Sequence, residues 1–201
     1  MIIKIPEVLN DITLYQWQQI NAIDDNVDSS FYTRRVLNII YGIRDLNKYK
    51  SRDLDMMMDS VKTVLNSTPK FEQRFTLHDV DYGFIPNLDD ISFGEFVDLD
   101  KYSEVKDYHK LMSILYRPVT KEQSGDRYSI DGYMGSNEKL RYMPLGISLG
   151  AIGFFLTLGE QLMNDTLNSL TEEEVAKVKK SDLLKSGDGT LHYFRSQTIT
   201  S

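Results

Sequence analysis

Apolar residues recur along this chain mostly at helical spacing. Ile2, Ile3 and Ile5 before Pro6 read as a short extended arm. Thr13 and Gln16 then have the spacing of a capping box, in which each residue satisfies an orphan N–H of the first turn. Leu14, Trp17, Ile20 and Ile23 continue as one apolar face, so a helix is predicted at once. The polar run DDNVDSS ends it and supplies a new cap. Phe31, Val36, Leu37, Ile40 and Ile43 mark a second helix, weakened at its end by Gly42. Leu54, Met57 or Met58, Val61, Val64 and Leu65 mark a third over Ser51–Leu65, and Pro69 forces a stop.

The period then changes. Phe71, Gln73, Phe75 and Leu77 alternate with Glu72, Arg74 and Thr76, and a second extended run, Val80 to Ile85, follows a turn at His78 and Asp79. The prediction is a small hairpin packed on the helices, because two strands alone are marginal in water. Ser92 and Glu95 repeat the capping-box spacing before a short helix with Phe93, Phe96 and Val97. Tyr108, Leu111, Met112 and Leu115 mark another, which should end near Arg117 because Pro118 disfavours helical backbone before it. Residues 120–142, with Gly125, Gly132 and Gly135, read as an irregular connection and a candidate contact loop.

Met143 to Leu158 is the most apolar run, with Pro144 placed for a helix start continuing towards Leu167. At 16 residues it is shorter than the roughly 20 of a simple membrane span, and Glu160 and Gln161 follow, so a buried helix is expected. Gly146, Gly150 and Gly153 leave a bare groove on one face for another segment or another chain. Thr171 and Glu174 form a third capping-box spacing before a charged, solvated helix. The predicted architecture is mainly α: about six to seven helices with a small β-hairpin near 71–85, in a single domain over 1–185. A flexible C-terminal tail, 186–201, is expected to follow, with Tyr193 and Phe194 as contacts for another protein.

Composition removes several functions. A formal charge of −7 with dispersed Lys and Arg argues against direct nucleic-acid binding. The absence of Cys excludes disulfides, thiolate metal sites and a Cys nucleophile. The N-terminus lacks the apolar core of a secretory signal. No nucleotide-binding glycine motif or nucleophile elbow is present, and no cofactor is implied.

The histidines, His78, His109 and His192, are isolated from one another; His109 reads as a helix-surface or partly buried group. His78, Asp79 and Asp81 read as a polar hairpin turn, with a metal or acid–base cluster as the alternative. Asp89, Asp90, Glu95, Asp98 and Asp100 lack the order of a calcium loop; they read as helix-start solvation or as a surface that guides a basic partner. For Phe93, Phe96, Tyr108 and Tyr116 core packing is the favoured reading.

The segments PEVLNDITLYQWQQI, YGFIPNLDDISFGEFVDLDKY, HKLMSILYRPV and MPLGISLGAIGFFLTLGEQL resemble, in that order, a family of small proteins of tailed bacteriophages, including crAss-like and marine phages. The resemblance covers most of residues 6–165, carries no catalytic residues, and leaves residues 166–201 outside. It implies a non-enzymatic role in virion assembly, as a small head-tail or tail component or as a tail-assembly chaperone. The implied setting is the host cytoplasm, with or without retention in the virion, and the implied partners are other phage structural proteins or a second copy of this chain. The contacts expected on this reading are Asp89, Asp90, Glu95, Asp98, Gly146, Gly150, Gly153, Tyr193 and Phe194. The rival reading is a phage-encoded metal-dependent hydrolase using His78, Asp79 and Asp81.

Overall fold

Helix α5 (Tyr108–Leu115) buries seven of its eight residues, all but Lys110, and so has no solvent side to give away. A computed structural model describes residues 4–87, 91–123 and 127–169 and shows what surrounds it. The described residues form six helices and one four-stranded antiparallel sheet. The helices are α1 (Leu14–Asn21), α2 (Ser29–Tyr41), α3 (Ser51–Leu65), α4 (Phe93–Lys101), α5 and α6 (Leu145–Ser169). The strands are β1 (Arg74–Leu77), β2 (Val80–Phe84), β3 (Tyr116–Glu122) and β4 (Tyr128–Ile130), in the order β1-β2-β3-β4.

The fold is therefore mixed α and β, which corrects the mainly α expectation. The expected hairpin is the β1–β2 half of a larger sheet, and the stretch 120–142, expected to be irregular, holds the end of β3 and all of β4. The physical reason lies at Pro118. The proline pushes Arg117 into extended backbone, so α5 ends at Leu115 and the chain enters β3 without a loop. Pro118 usually excludes a central strand, but its carbonyl accepts Asp131 N–H on the β4 side. Its missing N–H would point to that same side, beyond the end of β4 at Ile130, so the β2–β3 ladder loses no bond.

One sheet face, with Phe75, Tyr82, Phe84 and Tyr116, packs into the main core with Leu111, Met112 and Leu115 of α5 and with Leu145, Ile147 and Ile152 of α6. A second core joins Ile20 of α1, Val36, Leu37 and Tyr41 of α2, and Met57, Met58 and Val61 of α3. On the opposite sheet face Tyr128 lies across Gly83, where any side chain would collide with its ring. Arg74 covers the outer face of that ring and pairs with Glu122 at 2.6 Å.

The predicted capping boxes at Thr13–Gln16 and Ser92–Glu95 both form. The third, at Thr171–Glu174, lies outside the described residues, as do the tail contacts Tyr193 and Phe194. The starts of α1 and α6 are tied together: Leu14 N–H donates to Met143 O at 2.9 Å and Leu145 N–H to Ile12 O at 2.8 Å. These bonds satisfy an orphan donor at each helix start.

Among the described residues, no helix is long and apolar enough to cross a membrane. The apolar run is instead the buried first half of α6, with Ile147, Ala151 and Ile152 inside. Its glycine face is occupied by this chain: Gly146 sits against Leu9 and Asn10, Gly150 against the Lys70 carbonyl, and Gly153 is open. A Cβ at Gly150 would strike main chain, which cannot rotate away. Gly150→Ala is therefore expected to cost about 1–3 kcal/mol. Gly153→Ala, which meets nothing, is expected to gain up to about 1 kcal/mol of helix propensity. Urea unfolding of both variants checks the pair, and equal shifts would contradict the assignment of Gly150 to the Lys70 contact.

Candidate functional site

The capping geometry of α4 decides which side of the helix meets solvent. Ser92 Oγ accepts Glu95 N–H, and Glu95 Oε2 accepts Ser92 N–H at 2.7 Å, which holds the Glu95 carboxylate at the first turn. Its other oxygen lies 2.9 Å from Arg117 Nη1 of β3, close but not aligned as a hydrogen bond; Glu95 is buried and the Arg117 side chain is 14% exposed. Burial raises the Glu95 carboxyl pKa. The Ser92 hydrogen bonds and the Arg117 charge outweigh this and hold it below the usual carboxylate value.

With Glu95 and Leu99 facing inward, the opposite side of α4 is turned out. It carries Phe93, Phe96 and Val97, which are 83%, 64% and 47% exposed. The two phenylalanines are thus not core residues, in contrast to Tyr108 and Tyr116, which are buried as expected. Sequence patterning assigns Phe inward and Glu outward; the partly buried Arg117 reverses that assignment for α4.

Beside α4 runs the connection after β4. Tyr133 Oη donates to Asp98 Oδ2 at 2.8 Å, and burial together with this carboxylate raises the tyrosine pKa above its ordinary value. Met134, the next residue, is 94% exposed. The chain then crosses to the other sheet face, where Asn137 N–H donates to Ser113 Oγ and its side-chain amide to Tyr82 Oη. Between this connection and the start of β3 lies an open groove of about 470 Å³, lined by Ser113, Tyr116, Arg117, Pro118, Met134 and Lys139 among others. The Ser113 hydroxyl donates to the His109 carbonyl and that of Tyr116 to the Glu72 carbonyl, so both polar groups of the floor are already engaged.

Behind the groove, His109 is 1% exposed, so it is fully interior, not partly buried or on the helix surface. Gln18 Nε2, which donates to the Val105 and Lys106 carbonyls at 2.7 and 3.0 Å, lies 3.3 Å from its Nδ1. The ring Nε2 lies 3.5 Å from Glu138 Oε2, without hydrogen-bond alignment. Burial, Arg141 and Lys110 lower the His109 pKa, and Glu138 only partly opposes them.

The other predicted residues are placed apart. His78 and Asp79 form the two-residue tip of the β1–β2 hairpin, both with positive φ (49° and 61°), and His78 faces the edge of Tyr142. Asp81 accepts from Thr76 Oγ1 at 2.6 Å. Among the described residues, no group of three or more His, Asp or Glu is arranged to hold a metal ion. Asp89 and Asp90 lie outside the described residues. Sequence reasoning missed Met134 and the outward face of α4; the strict polarity of a capping-box Glu hid the one signal, a buried counter-ion twenty-odd residues on.

No protein-family model matches the chain, and neither a characterised protein nor a solved structure matches it.

Two outcomes follow from the buried charges. Because the folded-state pKa of His109 lies below its usual 6.5, the unfolded chain binds the proton first; stability is full above pH 6.5 and falls as the pH drops below it. His109→Gln should flatten that part of a melting-temperature profile, and an unchanged slope would contradict the assignment. Arg117→Met leaves Glu95 buried without its counter-ion, at a cost of about 3–5 kcal/mol; adding Glu95→Gln should recover part of it, as a double-mutant cycle by chemical unfolding would measure.

Proposed function

We propose that this chain is a non-enzymatic protein of tailed-bacteriophage particle assembly, a small component of the head-tail or tail region or a tail-assembly chaperone. The reading is supported by the order of sequence blocks that resemble small phage proteins. The observation that carries it is the outward apolar stripe of α4, Phe93, Phe96 and Val97. Apolar side chains collected on one exposed helix face are what a subunit contact requires, since burying them on a partner returns the free energy that exposure withholds. Work of this kind needs shape and surface and draws on no reacting group. The partners on this reading are other phage structural proteins, met in the host cytoplasm.

Quantitative mass spectrometry of purified particles beside the infected-cell lysate tests the proposal. Recovery at fixed stoichiometry in particles is expected of a virion component, and recovery in lysate bound to an unassembled structural subunit is expected of a chaperone. A free, unbound chain in both fractions would overturn it. Phe93→Ser with Phe96→Ser should leave unfolding stability within about 0.5 kcal/mol, because both side chains are outside the core, while abolishing that association.

A further inference from the structure

Arg117 belongs both to the pair with Glu95 and to the lining of the groove at the start of β3. Glu95 answers its charge but not its hydrogen-bonding capacity. The contact at Nη1 is not aligned as a hydrogen bond, and the buried Nε has no partner among the described residues. Guanidinium groups this far from water are normally satisfied, because each unmade bond leaves a desolvated donor. Their planar fork of N–H donors matches a carboxylate, which can take two of them at once.

The rest of the lining narrows the occupant. Tyr116 and Pro118 give the floor an apolar surface, since the tyrosine hydroxyl is spent on the Glu72 carbonyl. Met134, exposed here, is an unbranched side chain able to fold over an apolar group. Over residues 132–136 no main-chain N–H or C=O pairs with another main-chain group among the described residues, so this wall can still bond an extended peptide. Two carboxylates, Asp131 and Glu138, also line the groove. Arg141 answers Glu138 at 2.9 Å and Lys139 offsets Asp131, which admits one further negative charge but not a dianion such as phosphate. A volume of about 470 Å³ suits a small ligand or the last residues of a chain.

We propose that the groove takes the C-terminal carboxylate of an extended peptide with an apolar last residue. Arg117 holds the carboxylate, the main chain of 132–136 bonds the peptide backbone, and Met134 covers the last side chain. Binding at the groove does not depend on the assembly reading, so the two fail separately.

Titration of the ¹⁵N-labelled full-length protein with N-acetyl-leucyl-phenylalanine tests the assignment. The amide peaks of Gly132, Met134, Gly135 and Ser136 are expected to shift. The Arg117 Nε–H peak, visible because burial slows its exchange with water, should move downfield as it gains an acceptor. The C-terminal amide of the same dipeptide should bind about tenfold more weakly or worse, since it offers the fork no charge. Met134→Glu, at a position 94% exposed and outside the core, should weaken binding of the acid by about tenfold without lowering the melting temperature. Equal affinity for acid and amide, an unmoved Arg117 peak, or undiminished affinity in Met134→Glu would overturn the inference. So would equal affinity for phenylacetate, which assigns the groove to small acids and leaves the main-chain wall unused.

Discussion

Everything in this protein is arranged around the need to cover α5 on every side. A single-faced helix can rest on one neighbour, but Tyr108, Leu111, Met112, Ile114 and Leu115 point in all directions and must each meet apolar partners. Trp17 of α1 stacks on Tyr108 at 5.7 Å, the sheet covers the far end, and α4 and α6 close the remaining sides. Each fully buried aliphatic side chain contributes about 1.5–3 kcal/mol against exposure, so this short helix commits several such contributions to the core.

The same burial explains the polar groups near the groove. His109 and Ser113 lie on α5 and cannot reach water, so their hydrogen bonds come from what surrounds them: Gln18 of α1 at the imidazole, and Asn137 of the connection after β4 at the hydroxyl. The connection that walls the groove is thereby anchored to the central helix at Asn137 and to α4 through Tyr133 and Asp98. Contact surface and core are mechanically one unit, and changes at α5 will be felt at the groove.

Much of the helical organisation is legible in the chain. The capping boxes at Thr13 and Ser92, the apolar faces of α1 to α3 and the start of α6 near Pro144 follow from spacing, because these are local constraints on backbone hydrogen bonds and one-sided burial. The sheet was half legible. β1 and β2 alternate clearly, whereas β3 contains Pro118 and pairs with β2 only after α4 and α5 intervene, so no local pattern announces it. The glycine face of α6 was legible as a place of close approach, but whether Leu9, Asn10 and Lys70 or another chain would fill it was not.

The candidate site divides along the same line. Sequence alone determined that Glu95 would fold back on Ser92, that the surroundings of α4 are acidic, and that the first half of α6 is apolar. Only the tertiary structure decided that Arg117 would draw Glu95 inside, turning Phe93, Phe96 and Val97 outward. A capping bond spans three residues and is written in the spacing. Which face of a helix is buried depends on what the rest of the chain brings to it, and a charged residue goes inside when its counter-ion is already there.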